Sequence, residues 1–328
     1  MNGLSKDVVN HLAVDEAGEG QRVDNFLLRV LKGVPKSHIY RILRSGEVRV
    51  NRRRVRPDTR LAVGDDLRIP PVRIAAPQAL PRPLPARPIA LPILYEDEAL
   101  IAIDKPSGLA VHGGSGISFG LIERLRAARP EARFLELVHR LDRDTSGVLL
   151  VAKRRAALLA LHATLREGHA DKRYLVLVKG RWRDAKRRVE LPLAKFVTGG
   201  GERQVRVEHA SGRMARTVFY RRRIWAEAAP PVSLLEAELA TGRTHQIRVH
   251  LTHLGFPLAG DDKYGDFAWN RALAKQGLKR MFLHAWRLSL PHPTEKRVLT
   301  VESPLPPDLA EFVARLDEAQ HRDGDGDG

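Results

Sequence analysis

The chain has 328 residues, 43% of them hydrophobic, which is enough for two domains and a sizeable core. Lys and Arg outnumber Asp and Glu by 56 to 39, a net charge of +17 that favours a polyanionic partner, and the absence of cysteine excludes disulfides and thiolate catalysis. No apolar run is long enough for a signal peptide or a membrane span, so a cytoplasmic location is expected, with no membrane partner.

Residues 1–20 read as a flexible arm. From 21 to 74 follows a compact basic unit. Val23, Phe26, Leu27, Val30 and Leu31 recur at helical spacing, with Gly33 as a stop. A second helix is expected after Pro35, carrying Ile39, Ile42 and Leu43 and ending at Gly46. Val48 and Val50 alternate as a strand, residues 51–54 turn, and residues 61–69 give further strand. This unit has 14 basic and 5 acidic residues, a net +9, which leaves +8 for the other 274 residues. Charge concentrated in a sixth of the chain points to a binding module.

The stretches RVDNFL, GVPKSHIYRILRSGEVRVN and VGDDLRI resemble an S4 domain, a small RNA-binding fold of a helix pair and a hairpin. That resemblance implies phosphate contacts from Lys36, Arg41, Arg44, Arg52, Arg53 and Arg54. A solvated hairpin tip also carries such an Arg run, so the run is not by itself a site.

Residues 75–92 are rich in proline and read as a semi-rigid linker between domains. A hairpin is expected over 93–108, and a glycine-rich turn at 113–116 precedes a helix around 121–128. No Lys-Ser/Thr follows those glycines, so a nucleotide-binding loop is not supported. Residues 138–147, VHRLDRDTSG, form a polar loop between two short aliphatic runs that read as buried strands. Loops held on rigid scaffolds are common places for chemistry. A helix is expected at 156–167 and strands at 172–180, 215–225 and 298–301, with residues 234–239 leading into the next motif. TGRTHQIRVH at 241–250 runs from loop into helix, residues 309–316 close the fold, and residues 321–328 read as a disordered tail. The domain expected over 93–320 is α+β, built on a mixed, largely antiparallel sheet.

HRLDRDTSG, the flanking VLLVAK and the TGRTHQIRVH element together resemble RluA-type pseudouridine synthases. The likeness runs through nearly the whole chain and is strongest toward the group that modifies several uridines of 23S ribosomal RNA. The proline-rich linker and the Gly-Asp tail depart from it. The resemblance implies that the domain over 93–320 is catalytic and has a central cleft, that Asp142 is the catalytic carboxylate and that Arg248 keeps it charged. It also implies that Tyr174 stacks on the target base, that Arg140 fills the space the flipped base vacates, and that Leu283 walls the pocket. Asp144 is expected to cap the loop without taking part in the reaction. The isomerisation adds and removes nothing, so no cofactor is expected. His139, His245, His250 and His284 lack metal-ligand spacing, so no metal is expected either. The expected assembly is a monomer on 23S ribosomal RNA. The same chemistry on another RNA, and a non-enzymatic S4-type assembly factor, are the alternatives.

Overall fold

The structure, a computed structural model, describes residues 8–15, 18–31, 34–72, 91–113, 119–199 and 202–324. Two compact units divide it, Met1–Arg87 and Pro88–Gly328. The proline-rich linker lies almost wholly outside the described residues, as do most of the glycine-rich turn and the last four residues of the tail.

The first unit packs two helices, α1 (Val23–Val30) and α2 (Lys36–Arg44), on a four-stranded sheet. Strands β1 (Asn10–Ala13), β2 (Arg49–Val50), β3 (Arg53–Arg54) and β4 (Asp66–Ile69) stand in the order β1-β4-β2-β3. The flexible arm expected over 1–20 is thus corrected. Asn10 to Ala13 pair antiparallel with Ile69 to Asp66, and Val14 is buried in the core. Leu12 and Val14 supply the alternation, short enough to be overlooked between polar neighbours. The expected turn over 51–54 is also shorter. Asn51 and Arg52 both take positive φ, the two-residue turn that matches strand twist, and Arg53 and Arg54 return as β3.

The second unit is one eleven-stranded sheet. Its strands are β5 (Ile93–Glu96), β6 (Leu100–Lys105), β7 (Glu136–Leu137), β8 (Ser146–Ala152), β9 (Asp171–Lys179), β10 (Lys186–Val197), β11 (Arg203–Val207), β12 (Arg213–Trp225), β13 (Val232–Leu239), β14 (Leu283–Pro291) and β15 (Val298–Glu302). The path runs β11-β10-β12-β13-β9-β14-β8-β6-β5, with β15 beside β14 and β7 beside β8. Among the described residues all the pairings are antiparallel except β14 with β8, so the mixed, largely antiparallel sheet of the sequence reading is what the chain forms. Strand β10 and the helix at 267–275 were not foreseen.

Helices α3 (Leu121–Ala128), α4 (Arg155–Glu167), α5 (Gln246–His253), α6 (Phe267–Lys275) and α7 (Pro307–Gly324) cover the sheet. Helix α7 runs to residue 324, past the 309–316 expected and into the stretch read as tail. Every residue of β8 is buried, because both faces are covered. Val148, Leu150 and Ala152 meet Leu158 and Leu161 of α4, while Leu149 and Val151 meet Leu121, Ile122 and Leu125 of α3. Each such side chain contributes roughly 1.5–3 kcal/mol, which makes β8 a rigid base for the loop that precedes it. In β9 the same period of two puts Tyr174, Val176 and Val178 on the face toward Ile247 and Leu251 of α5. Among the described residues no helix is long and apolar enough to cross a membrane.

Candidate active site

The polar loop over 138–145 enters β8 and is fixed by four anchors. Lys105, fully buried at the end of β6, donates to the carbonyls of Pro106, Leu109 and Arg143, each at 2.8 Å. Ser107 Oγ donates to the Asp144 carbonyl at 2.8 Å. His139 Nε2 accepts from the Leu150 amide at 3.1 Å, and burial pushes its imidazole down to about 4, so it stays neutral. Gly147 allows the last anchor. Its φ is +110°, and a Cβ there would meet the Ala285 carbonyl oxygen at 2.2 Å. Only glycine lets β14 pair in parallel at that level, His284 with Ser146 and Ala285 with Gly147.

These anchors aim Asp142 into a slot of about 110 Å³ lined by Arg140, Leu141, Thr145, Tyr174, Leu239, Arg243, His245, Gln246, Ile247, Arg248 and Leu283. Helix α5 brings the cation. Arg248 Nη1 stands 3.4 Å from Asp142 Oδ2, while its Nε and Nη2 reach Asp261 Oδ2 and Oδ1 at 2.7 and 2.6 Å. Asp261 is wholly buried and also accepts from the amides of Lys263 and Tyr264. The guanidinium is therefore oriented by a bidentate partner behind it and presents its remaining edge to Asp142. Burial would lower the Arg248 pKa, but Asp261 and Asp142 outweigh it and raise it. Arg248 stays charged and sets a fixed cation beside the Asp142 carboxylate.

Tyr174 reaches the slot from β9 and Leu283 from β14, whose Leu283 and Val176 stand opposite each other. Burial raises the Tyr174 hydroxyl pKa, and the Asp142 charge adds to it, so the phenol keeps its proton. Arg140 is exposed at the rim, with no ion-pair partner among the described residues. The sequence-predicted residues Asp142, Arg248, Tyr174, Leu283 and Arg140 thus converge on one recess. Asp144 does not join them. Its carboxylate is held by Arg143 Nε at 3.1 Å, and among the described residues the expected loop cap is not one of its bonds. The turn is closed instead by the Thr145 amide on the Asp142 carbonyl.

Sequence reading assigned no part to Lys105, His245, Asp261 or Tyr264. The DKPSG and GDDKYG stretches hold three of them, but nothing local shows that a lysine or aspartate will be buried. Of the four histidines weighed for metal, His245 faces Asp142, His139 accepts from a backbone amide, and His284 bonds Ser146 Oγ at 3.0 Å. Asp97, His292 and Glu295 lie together near the far end of β14. There His292 Nε2 bonds Asp97 at 2.7 Å, and its Nδ1 accepts from the Glu295 amide, so both ring nitrogens are already engaged.

In the first unit, Lys36, Arg41, Arg44, Arg52, Arg53 and Arg54 are all exposed. Arg54 differs from expectation. Its guanidinium donates to the Ser45 carbonyl at 2.6 Å, capping the end of α2, and lies across Gly46, where a Cβ would meet its Nε at 2.0 Å.

The model of the RNA pseudouridylate synthase family matches residues 99–253, and the S4 domain model matches residues 21–67. The ribosomal large subunit pseudouridine synthase C of Escherichia coli (strain K12) is 51% identical over 314 residues, 94% of this chain and 96% of that one. Its counterpart in Pasteurella multocida (strain Pm70) is 48% identical over 94% of both. The solved structure of human RNA pseudouridylate synthase domain containing 1 superposes with a TM-score of 0.56 at 27% identity, over 70% of this chain and 94% of that one. With half of its residues identical across almost the whole of such relatives, and with the synthase sheet and an S4 unit in place, this chain belongs to the RNA pseudouridylate synthase family.

Proposed function

We propose that the protein isomerises uridines of large-subunit (23S) ribosomal RNA to pseudouridine in the cytoplasm, with Asp142 as the reacting carboxylate. The observation that carries this reading is the convergence of Asp142, Arg248, Tyr174 and Leu283 on one small slot, drawn from a loop, a helix and two strands. The reaction breaks the N1–C1′ bond, turns the base and joins C5 to C1′. Attack on C1′, attack on C6 and removal of a ribose proton all ask for an ionised carboxylate beside the sugar. Arg248, braced by Asp261, sets a fixed cation beside that carboxylate. A uridine must leave its stack to enter. Tyr174 and Leu283 then offer an aromatic face and an apolar wall, and the protonated Tyr174 hydroxyl is a donor and not a base. Arg140, exposed at the rim, is placed to fill the gap left behind. Lys36, Arg41, Arg44, Arg52 and Arg53 are the phosphate contacts of the S4 unit, with Arg54 bracing its helix. No cofactor is needed, and a monomer suffices because one chain supplies every group.

The test compares Asp142→Asn and Asp144→Asn on 23S ribosomal RNA transcript. Asp142→Asn keeps the shape and removes the nucleophile, so turnover should fall below detection while RNA binding survives. Asp144→Asn loses an exposed pair worth roughly 0–1 kcal/mol and should keep its activity. An active Asp142→Asn beside a dead Asp144→Asn reverses the assignment.

A further inference from the structure

Helix α5 begins on a residue in an unusual conformation. His245, at its N-cap, has φ 52° and ψ 24°, a left-handed backbone that costs most residues other than glycine, asparagine and aspartate about 1 kcal/mol. Such outliers persist where their surroundings over-determine them. Here they do. The conformation turns the imidazole back from the helix into the cleft, where Nε2 lies 3.8 Å from Asp142 Oδ2. Its other nitrogen, Nδ1, is 2.8 Å from the Tyr264 hydroxyl, which itself accepts from the Val205 amide at 2.9 Å. That amide occupies a lone pair of the hydroxyl and leaves its proton free for Nδ1; with the proton so assigned, the neutral ring carries its own on Nε2, toward the carboxylate. The Tyr264 ring also lies under the Arg248 guanidinium, 5.0 Å away. One tyrosine thus underpins both groups that face Asp142.

We infer that His245 is a positioning residue for the reaction, held by Tyr264 as the Nε2–H tautomer so that its N–H and Arg248 both point at Oδ2 and leave Oδ1 for the substrate. Both protein contacts of the carboxylate fall on Oδ2, and among the described residues Oδ1 has none. This inference rests on Asp142 being the reacting group. The groups that face His245 are Asp142 from the loop, Arg248 from α5, Asp261, Lys263 and Tyr264 from the segment after it, and Glu202 just before β11. Burial holds the imidazole below the ordinary histidine range; Asp142 opposes this, and Arg248 and Lys263 reinforce it. Protonation at lower pH places a second full cation on Asp142, so the rate should fall on the acid side as His245 gains its proton.

The decisive variant is His245→Asn, because asparagine tolerates the left-handed backbone while its side chain is too short to reach Asp142. Its single-turnover rate on 23S ribosomal RNA transcript should fall tenfold or more, with transcript affinity and Tm unchanged, and the acid limb of its rate profile should be displaced. Tyr264→Phe keeps the ring under Arg248 but frees the tautomer, and should lose a smaller factor. Parental rate and pH profile in His245→Asn overturn the inference, and so does a rate loss matched by lost Tm or lost RNA affinity. Asp142→Asn is run beside them. If it is dead while His245→Asn is fully active, only the positioning role fails; if it turns over, the reading beneath it fails.

Discussion

Asp261 shows how one side chain aims a charge at another that it never touches. It holds two of the three nitrogens of Arg248 and so fixes where the third points. Burial alone would raise its pKa, but the hydrogen bonds and charge of Arg248 and the amides of Tyr264 and Lys263 hold it below the ordinary 3.8. Asp261→Asn removes the charge and leaves a guanidinium buried beside an amide, a loss of about 3–5 kcal/mol for breaking a buried pair. Urea unfolding should show that deficit, with turnover reduced as Arg248 loses its orientation. A folded-state pKa depressed below the unfolded value of about 3.9 gives stability that is present above it and lost as pH falls through the folded value. The gap between parent and variant should therefore hold steady above pH 5 and close below about pH 4. A gap unchanged at pH 3 contradicts the pairing.

At the scale of elements, the loop before β8 is held from outside itself, chiefly by the last residue of β6. Lys105→Met keeps the stem and strips three carbonyls of their donor, which should cost on the order of 3 kcal/mol and lower turnover by loosening the loop at Arg143. Burial holds the Lys105 ammonium down to about 7, against the pull of Asp144 and Asp142. An unfolded lysine keeps its proton to about pH 10.4. Protons are thus bound more tightly by the unfolded chain between these values, and the parent gains stability as pH rises from 7 to 10. Lys105→Met should flatten that rise in thermal scans from pH 7 to 10; an identical slope rejects the buried-lysine account. This anchor also marks where sequence reading ran out. The strands flanking the loop were legible because β8 buries both faces and reads as an unbroken aliphatic run. Strand β1 was hidden by its brevity. Strand β10 was hidden because its outward residues are Lys186, Arg188 and Glu190, and Pro192, two residues on from Glu190, reads as a strand breaker. Asp142 and Arg248, 106 residues apart, were joined by motif alone. Lys105 and Asp261 carry no local sign of burial; their bonds to the Arg143 carbonyl, 38 residues on, and to Arg248, 13 residues back, appear only in the fold.

Over the whole molecule, charge and chemistry sit in different units. The first unit exposes most of its cations, and the second holds the carboxylate. Removing residues 1–90 should weaken RNA binding and flatten its salt dependence, by roughly 0.7 of slope for each phosphate of single-stranded RNA that the protein no longer neutralises. The second unit should still fold around its own sheet, as circular dichroism and thermal melting can check. Equal affinity and salt slope in both forms would remove the S4 unit from RNA recognition. Within the second unit, the short parallel joint of β14 to β8 at Gly147 has a consequence in time. The loop that bears Asp142 closes against a strand whose His284 lies 138 residues beyond Ser146. A growing chain has made its carboxylate, its cation and its tyrosine long before it makes the wall that completes the slot. Pairings of such long separation also form late in folding. The slot therefore lacks its Leu283 wall until β14 is laid into the middle of the sheet, between β9 and β8.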